Sequence, residues 1–230
     1  MRKVHQVNWQ AIILTLRLAL TVSAVLVIIG LPLAYWIAFS RRRWKFLVES
    51  LVAMPLVLPP TVLGFYFLLL LGRGGAVGAW LNRIFGVTLP FTFAGLMVAS
   101  VLFSLPFAVQ PLVAGFASVD RKLIAASALL GASRTRTFLR VVLPLSLTHL
   151  ITAVVLSFAH TLGEFGVVLM VGGNIPGVTR TISIAIYDDV QALNYASANQ
   201  NALFLLIFSF VILSLVYALN RRAFFIGTVQ

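Results

Sequence analysis

The sequence predicts an all-α protein, a polytopic bundle of five or six transmembrane helices. Of its 230 residues, 61% are hydrophobic and only 10% are charged, and its mean hydropathy is +1.06. Soluble domains carry about 25% charged residues. Since one membrane-spanning helix needs about 20 apolar residues, the chain has room for these spans and for no soluble catalytic domain beside them.

Five apolar runs mark the predicted spans. They cover about residues 11–39, 46–71, 90–116, 147–171 and 202–219. The first run is too long for a signal-peptide core and shows no convincing cleavage site, so it is predicted to remain as a span. Pro55, Pro59 and Pro60 lie in the second run, and because proline removes an amide donor we expect at least one bend there.

Positive charges are concentrated at the ends of the apolar runs. The chain has 17 Lys and Arg against 5 Asp and Glu, a net charge of +12, and the segments 41–45, 120–140 and 221–222 hold eleven of those cations. The positive-inside rule places these segments in the cytoplasm. The N-terminus then lies outside, which Arg2 and Lys3 mildly contradict, and an extra break in a long run would give six spans instead. Nucleic-acid binding is not expected, because the aromatic residues lie in apolar runs.

Several chemistries lack the residues they need. The chain has no cysteine, which excludes disulfides and thiolate metal sites. A P-loop requires G-x-x-x-x-G-K-[ST], and the nearest run, residues 172–179, has no lysine. No carboxylate pair, histidine cluster or activated nucleophile has a convincing spacing. The chain is therefore predicted to be no enzyme and to bind no metal or cofactor, and ATP must be handled by another polypeptide. Without a short repeat or linker, residues 1–230 are predicted to form one domain.

The most informative segment is residues 118–144, SVDRKLIAASALLGASRTRTFLRVVLP. Asp120 can cap a helix that begins directly after it. Gly131 can adopt the left-handed conformation that ends this helix. Ser133 can cap a second helix, which leads to Pro144, where the chain re-enters the membrane. We refer to this stretch as the 118–144 segment.

The first of these helices carries a short stripe of apolar and small residues on one face. The stripe consists of Leu123, Ala126, Ser127 and Leu130. Two interpretations fit a helix, a glycine turn and a second helix on the cytoplasmic side. One is a compact knob that a soluble partner grips, and the other is an amphipathic loop that rests on anionic lipid headgroups.

The 118–144 segment resembles the EAA loop of binding-protein-dependent ABC importer permeases. The family pattern runs from Glu-Ala-Ala through a glycine to an Ile-x-Leu-Pro group. At the matching spacing this chain has Ala126 for the first alanine, Gly131 for the glycine, and Leu143 and Pro144 for the final pair. Ala125 stands in place of the glutamate. The resemblance therefore implies the helix–turn–helix in this chain, but it implies no contact through the missing carboxylate.

Other stretches are similar to one branch of the family, the molybdate permease subunits, over nearly the whole chain. Residues 55–60 and 72–75 look like the second span and external loop of that branch, and residues 162–166 and 174–181 look like its fourth span and following loop. Tungstate and sulfate permeases share much of this pattern and remain alternatives. A stand-alone secondary carrier is a further alternative, but it would need intramembrane relays and usually an inverted repeat.

The resemblance implies a type I ABC importer permease, multi-pass in the bacterial inner membrane, with two copies forming an oxyanion pathway. Each 118–144 segment would dock on a separate cytoplasmic ABC ATPase that binds ATP and Mg, and a periplasmic binding protein would deliver the oxyanion. The implied ATPase-coupling residues are Asp120, Ala125, Ala126, Gly131, Leu143 and Pro144.

Glu164, Gly163, Gly166 and Arg180 are the candidates for the pathway or gate. Glu164 is the only acid deep within an apolar run, where a charge costs about 3 kcal/mol on insertion scales. It is interpreted either as a structural glutamate that holds a bend or as a gate residue, and an ionised carboxylate is not expected to bind an anion directly. His160 lies one helical turn earlier on the same face. This pair offers too few ligands for a metal, so a structural hydrogen bond is expected.

Several charged positions have more than one interpretation. Arg17, inside the first span, could snorkel outward or line a basic path. Arg180 could meet an acidic surface of a delivering protein or hold the oxyanion in transit, or it could lie in a plain solvated loop. Asp188 and Asp189 are adjacent and point in different directions on a helix, which fits partner contact or capping rather than catalysis.

Overall fold

The computed structural model describes residues 7–226, and every regular element in that range is helical. The helices are α1 (Trp9–Phe39), α2 (Lys45–Ala53), α3 (Pro60–Leu71), α4 (Ala76–Phe85), α5 (Phe93–Ala117), α6 (Arg121–Leu129), α7 (Arg134–Thr137), α8 (Leu143–Leu145), α9 (Leu147–Gly163), α10 (Gly166–Gly172), α11 (Ile182–Gln191) and α12 (Tyr195–Ile226). A 3-10 turn, Met54–Leu56, extends α2, and a π turn, Phe138–Val142, joins α7 to α8. Arg2 and Lys3 lie outside the described residues.

Three of the described helices, α1, α5 and α12, are each long and apolar enough to cross a membrane. Two further spans are bent. The stretch through α2 meets α3 at 112°, and the stretch from α7 through α8 meets α9 at 74°. Counting each bent pair as one span, the described residues hold up to five spans by length and composition. The predicted all-α membrane bundle is confirmed.

The bend in the second span follows from its prolines. Pro59 is the N-cap of α3 and Pro60 is its first residue, a position where the missing proline amide costs nothing because it has no intrahelical partner. Pro55 lies in the 3-10 turn that ends the preceding helix. The chain therefore reverses direction sharply between residues 56 and 60, as the sequence predicts.

The packed interior lies between α1, α5 and α9. Leu18 and Leu26 of α1 and Leu96 of α5 are fully buried, and they cluster with Val168 of α10 and Ile184 of α11. A second cluster at the cytoplasmic end continues the core towards the 118–144 segment. Between membrane helices such contacts stabilise by close packing rather than by release of water. The core therefore fixes α9 and α10 against α1 and α5.

Two stretches between the predicted spans contain helices. Residues 72–86 hold α4 and residues 172–199 hold α11, while α12 begins seven residues before the predicted start at 202. Hydropathy marks only the part of a helix that lipid can surround, so polar helical residues beyond it escape the pattern. Only 11% of the apolar stretch of α12 is buried, against 44% for α1 and 56% for α5. Helix α12 thus presents most of its surface to lipid or to another protein.

Candidate functional site

Both helix starts in the 118–144 segment are capped as predicted. Asp120 Oδ1 accepts a hydrogen bond of 2.8 Å from the backbone amide of Lys122. Ser133 Oγ accepts one of 3.3 Å from the amide of Arg136. Such caps satisfy amides that have no partner inside the helix. The two helices of the segment therefore begin at defined residues.

Gly131 ends α6 in the left-handed conformation, with φ at +77°. The amide of Ala132 donates to the carbonyl of Ser127 at 3.1 Å, and the amide of Gly131 donates to that of Ala128 at 3.0 Å. These two bonds form the Schellman pattern, for which a residue without a Cβ is favoured. The predicted glycine turn is confirmed.

Side-chain contacts hold the 118–144 segment together and attach it to the bundle. The hydroxyls of Ser127 and Thr137 lie 2.9 Å apart and connect α6 to α7. Val142, at the end of the π turn, is fully buried. Just beyond the segment, Ser146 Oγ donates to the carbonyl of Gly115 in α5 at 3.0 Å. The segment is thus anchored to α5 where the chain enters α9.

Three exposed leucines lie on α6 and its C-terminal cap, and together we call them the leucine surface. Leu129 and Leu130 are 89% and 88% exposed, and Leu123 is 48% exposed. Ser127, a member of the predicted stripe, places its hydroxyl 2.9 Å from that of Thr137. The described residues leave this apolar surface uncovered, as expected of a docking surface.

The structure separates the six proposed coupling residues into two groups. Asp120, Ala125, Ala126 and Gly131 lie exposed on α6 and its two ends. Leu143 and Pro144 lie beyond the π turn, in α8, with Pro144 exposed and Leu143 half-buried. The first group lies on the same helix and turn as the leucines, and the second lies where the chain turns into α9.

The fourth predicted span is not continuous, because α9 ends at Gly163 and α10 begins at Gly166. Glu164 has an extended backbone, is 5% exposed, and its Oε1 accepts a 2.8 Å hydrogen bond from the amide of Val167. Its Oε2 has no hydrogen-bond partner among the described residues. The carboxyl group therefore caps α10 and holds the bend, one of the two interpretations that the sequence allowed.

This break packs directly against the bend in the second span. A Cβ at Gly166 would lie 2.6 Å from Cβ of Pro60, and one at Gly64 would lie 2.7 Å from Cβ of Met170. Side chains at either position would force α3 and α10 apart, since carbon atoms do not approach so closely. No described atom lies within 4 Å of a Cβ placed on Gly163. Of the two glycines beside Glu164, only Gly166 is required by packing.

His160 does not make the structural hydrogen bond expected of it. Its ring stacks on Phe107, with centroids 3.9 Å apart, and lies 5.0 Å from the ring of Phe103. Its Nε2 has no hydrogen-bond partner among the described residues. The expectation failed because α9 ends before Glu164, so the two residues do not share a helical face.

Arg180 belongs to a three-residue polar cluster on the outer side. Its Nε donates to Asn174 Oδ1 at 2.6 Å, and its Nη2 lies 3.5 Å from Asp188 Oδ2. Asn174 Nδ2 in turn donates to Asp188 Oδ2 at 2.5 Å. Asn174 and Asp188 were not predicted as partners of Arg180. Their signal was weak, an amide and a carboxylate within eight residues of the arginine.

The neighbouring carboxylate connects different elements. Asp189 Oδ2 accepts a hydrogen bond of 2.8 Å from Ser197 Oγ and one of 3.4 Å from Asn201 Nδ2. Asn201 Oδ1 accepts from the amide of Asn8 at 3.0 Å. Asp189 thus ties α11 to α12 and, through Asn201, to the start of α1. Of the two interpretations of this acid pair, the contacts within the chain favour a structural role for Asp189.

Arg17 lies in α1 with its side chain exposed, and its guanidinium carbon is 4.8 Å from the centroid of the Phe93 ring. Phe93 is the first residue of α5, the end that the charge pattern places outside. This cation–π contact directs the side chain towards the outer surface, as snorkelling requires.

These features define a class: a multi-pass helical membrane protein with broken spans and a capped, leucine-bearing knob on its cytoplasmic side. The chain belongs to the family described as "Binding-protein-dependent transport system inner membrane component", which matches residues 30–225. It is therefore a permease subunit of the inner membrane.

Relatives within this family are similar over most of their length. The molybdenum transport system permease protein ModB of Azotobacter vinelandii is 49% identical over 212 residues, covering 92% of this chain and 93% of that protein. The protein of the same name from Escherichia coli K12 is 40% identical over 188 residues, covering 80% of each chain.

Solved structures share the fold at low sequence identity. An inward-facing MetNI methionine ABC transporter aligns with a TM-score of 0.73 and 18% identity, over 94% of this chain and 95% of that one. A bacterial alginate ABC transporter in complex with its pentasaccharide-bound periplasmic protein aligns with a TM-score of 0.71 and 19% identity, over 93% and 78%. The architecture is that of ABC importer permeases.

Proposed function

We propose that this chain is the permease of an ATP-driven molybdate importer, and that two copies form the pathway. One observation carries the choice of substrate: 49% identity over 92% of the chain to a protein named as a molybdenum transport permease. A periplasmic binding protein would deliver the oxyanion to the outer face. Tungstate and sulfate are the alternative substrates, and competition against molybdate uptake distinguishes them.

The 118–144 segment would couple the permease to its ATPase. An apolar surface on a rigid, capped support suits a groove on a soluble partner, because apolar side chains at an interface centre supply most of its binding energy. ATP and Mg would bind to that partner. Movement of the segment would reach α9 directly through the π turn, and the Ser146–Gly115 hydrogen bond would carry it to α5.

The two broken spans would form the moving part of the pathway. Transporter folds place discontinuous helices at the centre of the membrane, where each half can shift separately. Glu164 would hold α10 at a fixed angle, and the Gly166–Pro60 contact would make α3 and α10 move together. Arg180, paired with Asp188, would stabilise the outer loop above them.

The test is molybdate uptake into proteoliposomes that contain this chain, its ATPase and the binding protein. Uptake should require ATP and all three proteins. Uptake by this chain alone would replace the importer with a secondary carrier. Uptake of sulfate or tungstate in preference to molybdate would leave the importer in place and change its substrate.

The docking role is tested by replacing two members of the leucine surface. Leu129→Asp with Leu130→Asp should abolish co-purification of the ATPase, because two carboxylates would be buried unpaired in the interface. Leu193→Asp is the matched control, since Leu193 is 72% exposed but lies between α11 and α12 on the outer side. Equal loss of the ATPase in both variants would rule out docking through the leucine surface.

A further inference from the structure

A groove of about 910 Å³ separates the last turns of α1 from the 118–144 segment. One wall includes Leu31, Tyr35 and Trp36 of α1, and the other includes Ile124 and Phe138. The groove lies beside the leucine surface, whose residues do not line it. It therefore belongs to neither the proposed docking surface nor the pathway.

The groove extends from the cytoplasmic surface into the inner leaflet. Its wall on α1 runs from Leu31 to Phe39, about 12 Å along the axis at 1.5 Å per residue. Tyr35 and Trp36 lie within this stretch, and such aromatic residues concentrate where hydrocarbon meets headgroups. A soluble protein reaches the rim of this groove but not its apolar depth.

Two arginines, Arg41 and Arg134, line the cytoplasmic end of the groove. Among residues 7–226, no acidic side chain pairs with either one, because each of the five is engaged elsewhere. Glu49 pairs with Lys45, Asp120 caps α6, Glu164 caps α10, Asp188 pairs with Arg180 and Asp189 accepts from Ser197. The described residues therefore leave both arginines open to an anion from outside the chain.

We propose that this groove binds one anionic phospholipid of the inner leaflet. Its phosphate would lie between Arg41 and Arg134, which suit a phosphate through bidentate hydrogen bonds, and an acyl chain would lie along Tyr35 and Trp36. The volume of 910 Å³ falls within the range of about 300–1,000 Å³ typical of small-molecule sites. A second copy of this chain would bring no unengaged acidic side chain to these arginines, because its five acidic side chains make the same contacts.

A lipid in this position would contact two elements that already touch through the rings of Tyr35 and Phe138, whose centroids are 5.2 Å apart. One is α1, fixed in the packed interior, and the other is the 118–144 segment. Anionic lipid would therefore stabilise one position of the segment against the bundle. Transport should therefore depend on anionic lipid even where the protein inserts into the membrane equally well without it.

The test measures phospholipid retained by the purified permease–ATPase complex after extraction from vesicles containing phosphatidylglycerol and phosphatidylcholine. Native mass spectrometry counts each lipid bound per complex. Arg41→Gln with Arg134→Gln should lower the preference for phosphatidylglycerol roughly 25-fold, at about fivefold for each arginine. Arg43→Gln with Arg136→Gln removes the same charge from exposed residues that do not line the groove, and should leave the preference nearly unchanged.

A second pair of variants tests the apolar part without altering charge. Ala128→Trp fills the groove and should displace the lipid, whereas Ala117→Trp places the same ring on an exposed residue at the end of α5, outside the groove, and should not. If both arginine double variants lost the same preference for phosphatidylglycerol, total charge rather than this groove would set that preference, and the site would be overturned. A photoreactive residue in place of Trp36 that cross-linked two copies of the chain would also overturn the lipid site, because the occupant would then be a second copy. Because lipid retention is counted without transport, these results are independent of the proposed substrate.

Discussion

The cytoplasmic 118–144 segment exposes two adjacent leucines at the end of α6, whereas the outer stretch 172–199 engages its three charged side chains within the chain. On the outer side Arg180 and Asp188 form an ion pair, and Asp189 accepts from Ser197. On the cytoplasmic side Leu129 and Leu130 are almost fully exposed. An uncovered apolar surface suits a permanently bound partner. A polar surface whose charged groups already pair within the chain suits a partner that binds transiently.

The largest expected effect is that of Gly131→Val. A β-branched residue at φ +77° costs about 1–2 kcal/mol or more, roughly a tenfold loss in the population of the native turn. No described atom lies within 4 Å of a Cβ at this position, so the strain is purely conformational. ATP-driven uptake should fall about tenfold while the membrane domain still assembles.

The control for that variant is Gly131→Asn, because asparagine tolerates the left-handed region. Uptake close to that of the parent is expected. If valine and asparagine behaved alike, the glycine turn would not determine how the segment presents its leucines, and the proposed contrast between the two faces would lose its main support.

The next largest effect is expected in the packed interior between the cytoplasmic segment and the outer stretch. Gly166→Ala places a Cβ 2.6 Å from Pro60, and such overpacking costs about 1–3 kcal/mol. Thermal unfolding in detergent should occur at a lower temperature. Gly163→Ala is the matched control, since its Cβ meets open space. An equal decrease in unfolding temperature in both variants would mean that glycine is required for its backbone freedom and not for the packing on Pro60.

A smaller change is expected for the cap of α6. Asp120→Ala removes the acceptor for the Lys122 amide and should destabilise the helix start by about 1 kcal/mol. Hydrogen exchange of the first amides of α6 should accelerate about fivefold. Asp120→Asn keeps a capping oxygen, so it should exchange nearly as slowly as the parent, and fast exchange there would assign the effect to charge.

The smallest effect is expected on the outer side. Asp188→Asn removes an ion pair whose side chains are 29% and 34% exposed, so the loss should lie within about 0.2–1 kcal/mol. A double-mutant cycle with Arg180→Gln measures the coupling between them. Loss of molybdate uptake far beyond this change in stability would show that Arg180 meets the oxyanion or its binding protein directly.

The sequence predicted the elements that depend on local chemistry. Asp120, Ser133 and Gly131 act through their own backbone neighbours, so a cap or a turn is visible in a short window. Pro59 and Pro60 likewise predict the bend of the second span wherever it packs. Apolar runs locate the spans because lipid contact requires an unbroken apolar stretch.

Other features depend on contacts between distant residues and were missed. The packing of Gly166 on Pro60 joins positions far apart in the chain, and no local pattern distinguishes it from the unrequired Gly163. The break at Glu164 removed the helical face that it was expected to share with His160. Ser127 has the right spacing for the predicted stripe, but its spacing does not reveal that its hydroxyl contacts Thr137.

The π turn has a consequence for how the family can vary in length. Phe138–Val142 closes with the amide of Leu143 bonded to the carbonyl of Phe138, one residue wider than an α-helical turn. The widened turn accommodates one extra residue locally, so deleting that residue would restore α-helical winding with little rotation of the leucines relative to α9. An insertion or deletion in a regular helical part of the segment would instead rotate them by about 100° for each residue. The spacing between Gly131 and Pro144 therefore helps to set the direction in which the leucines point.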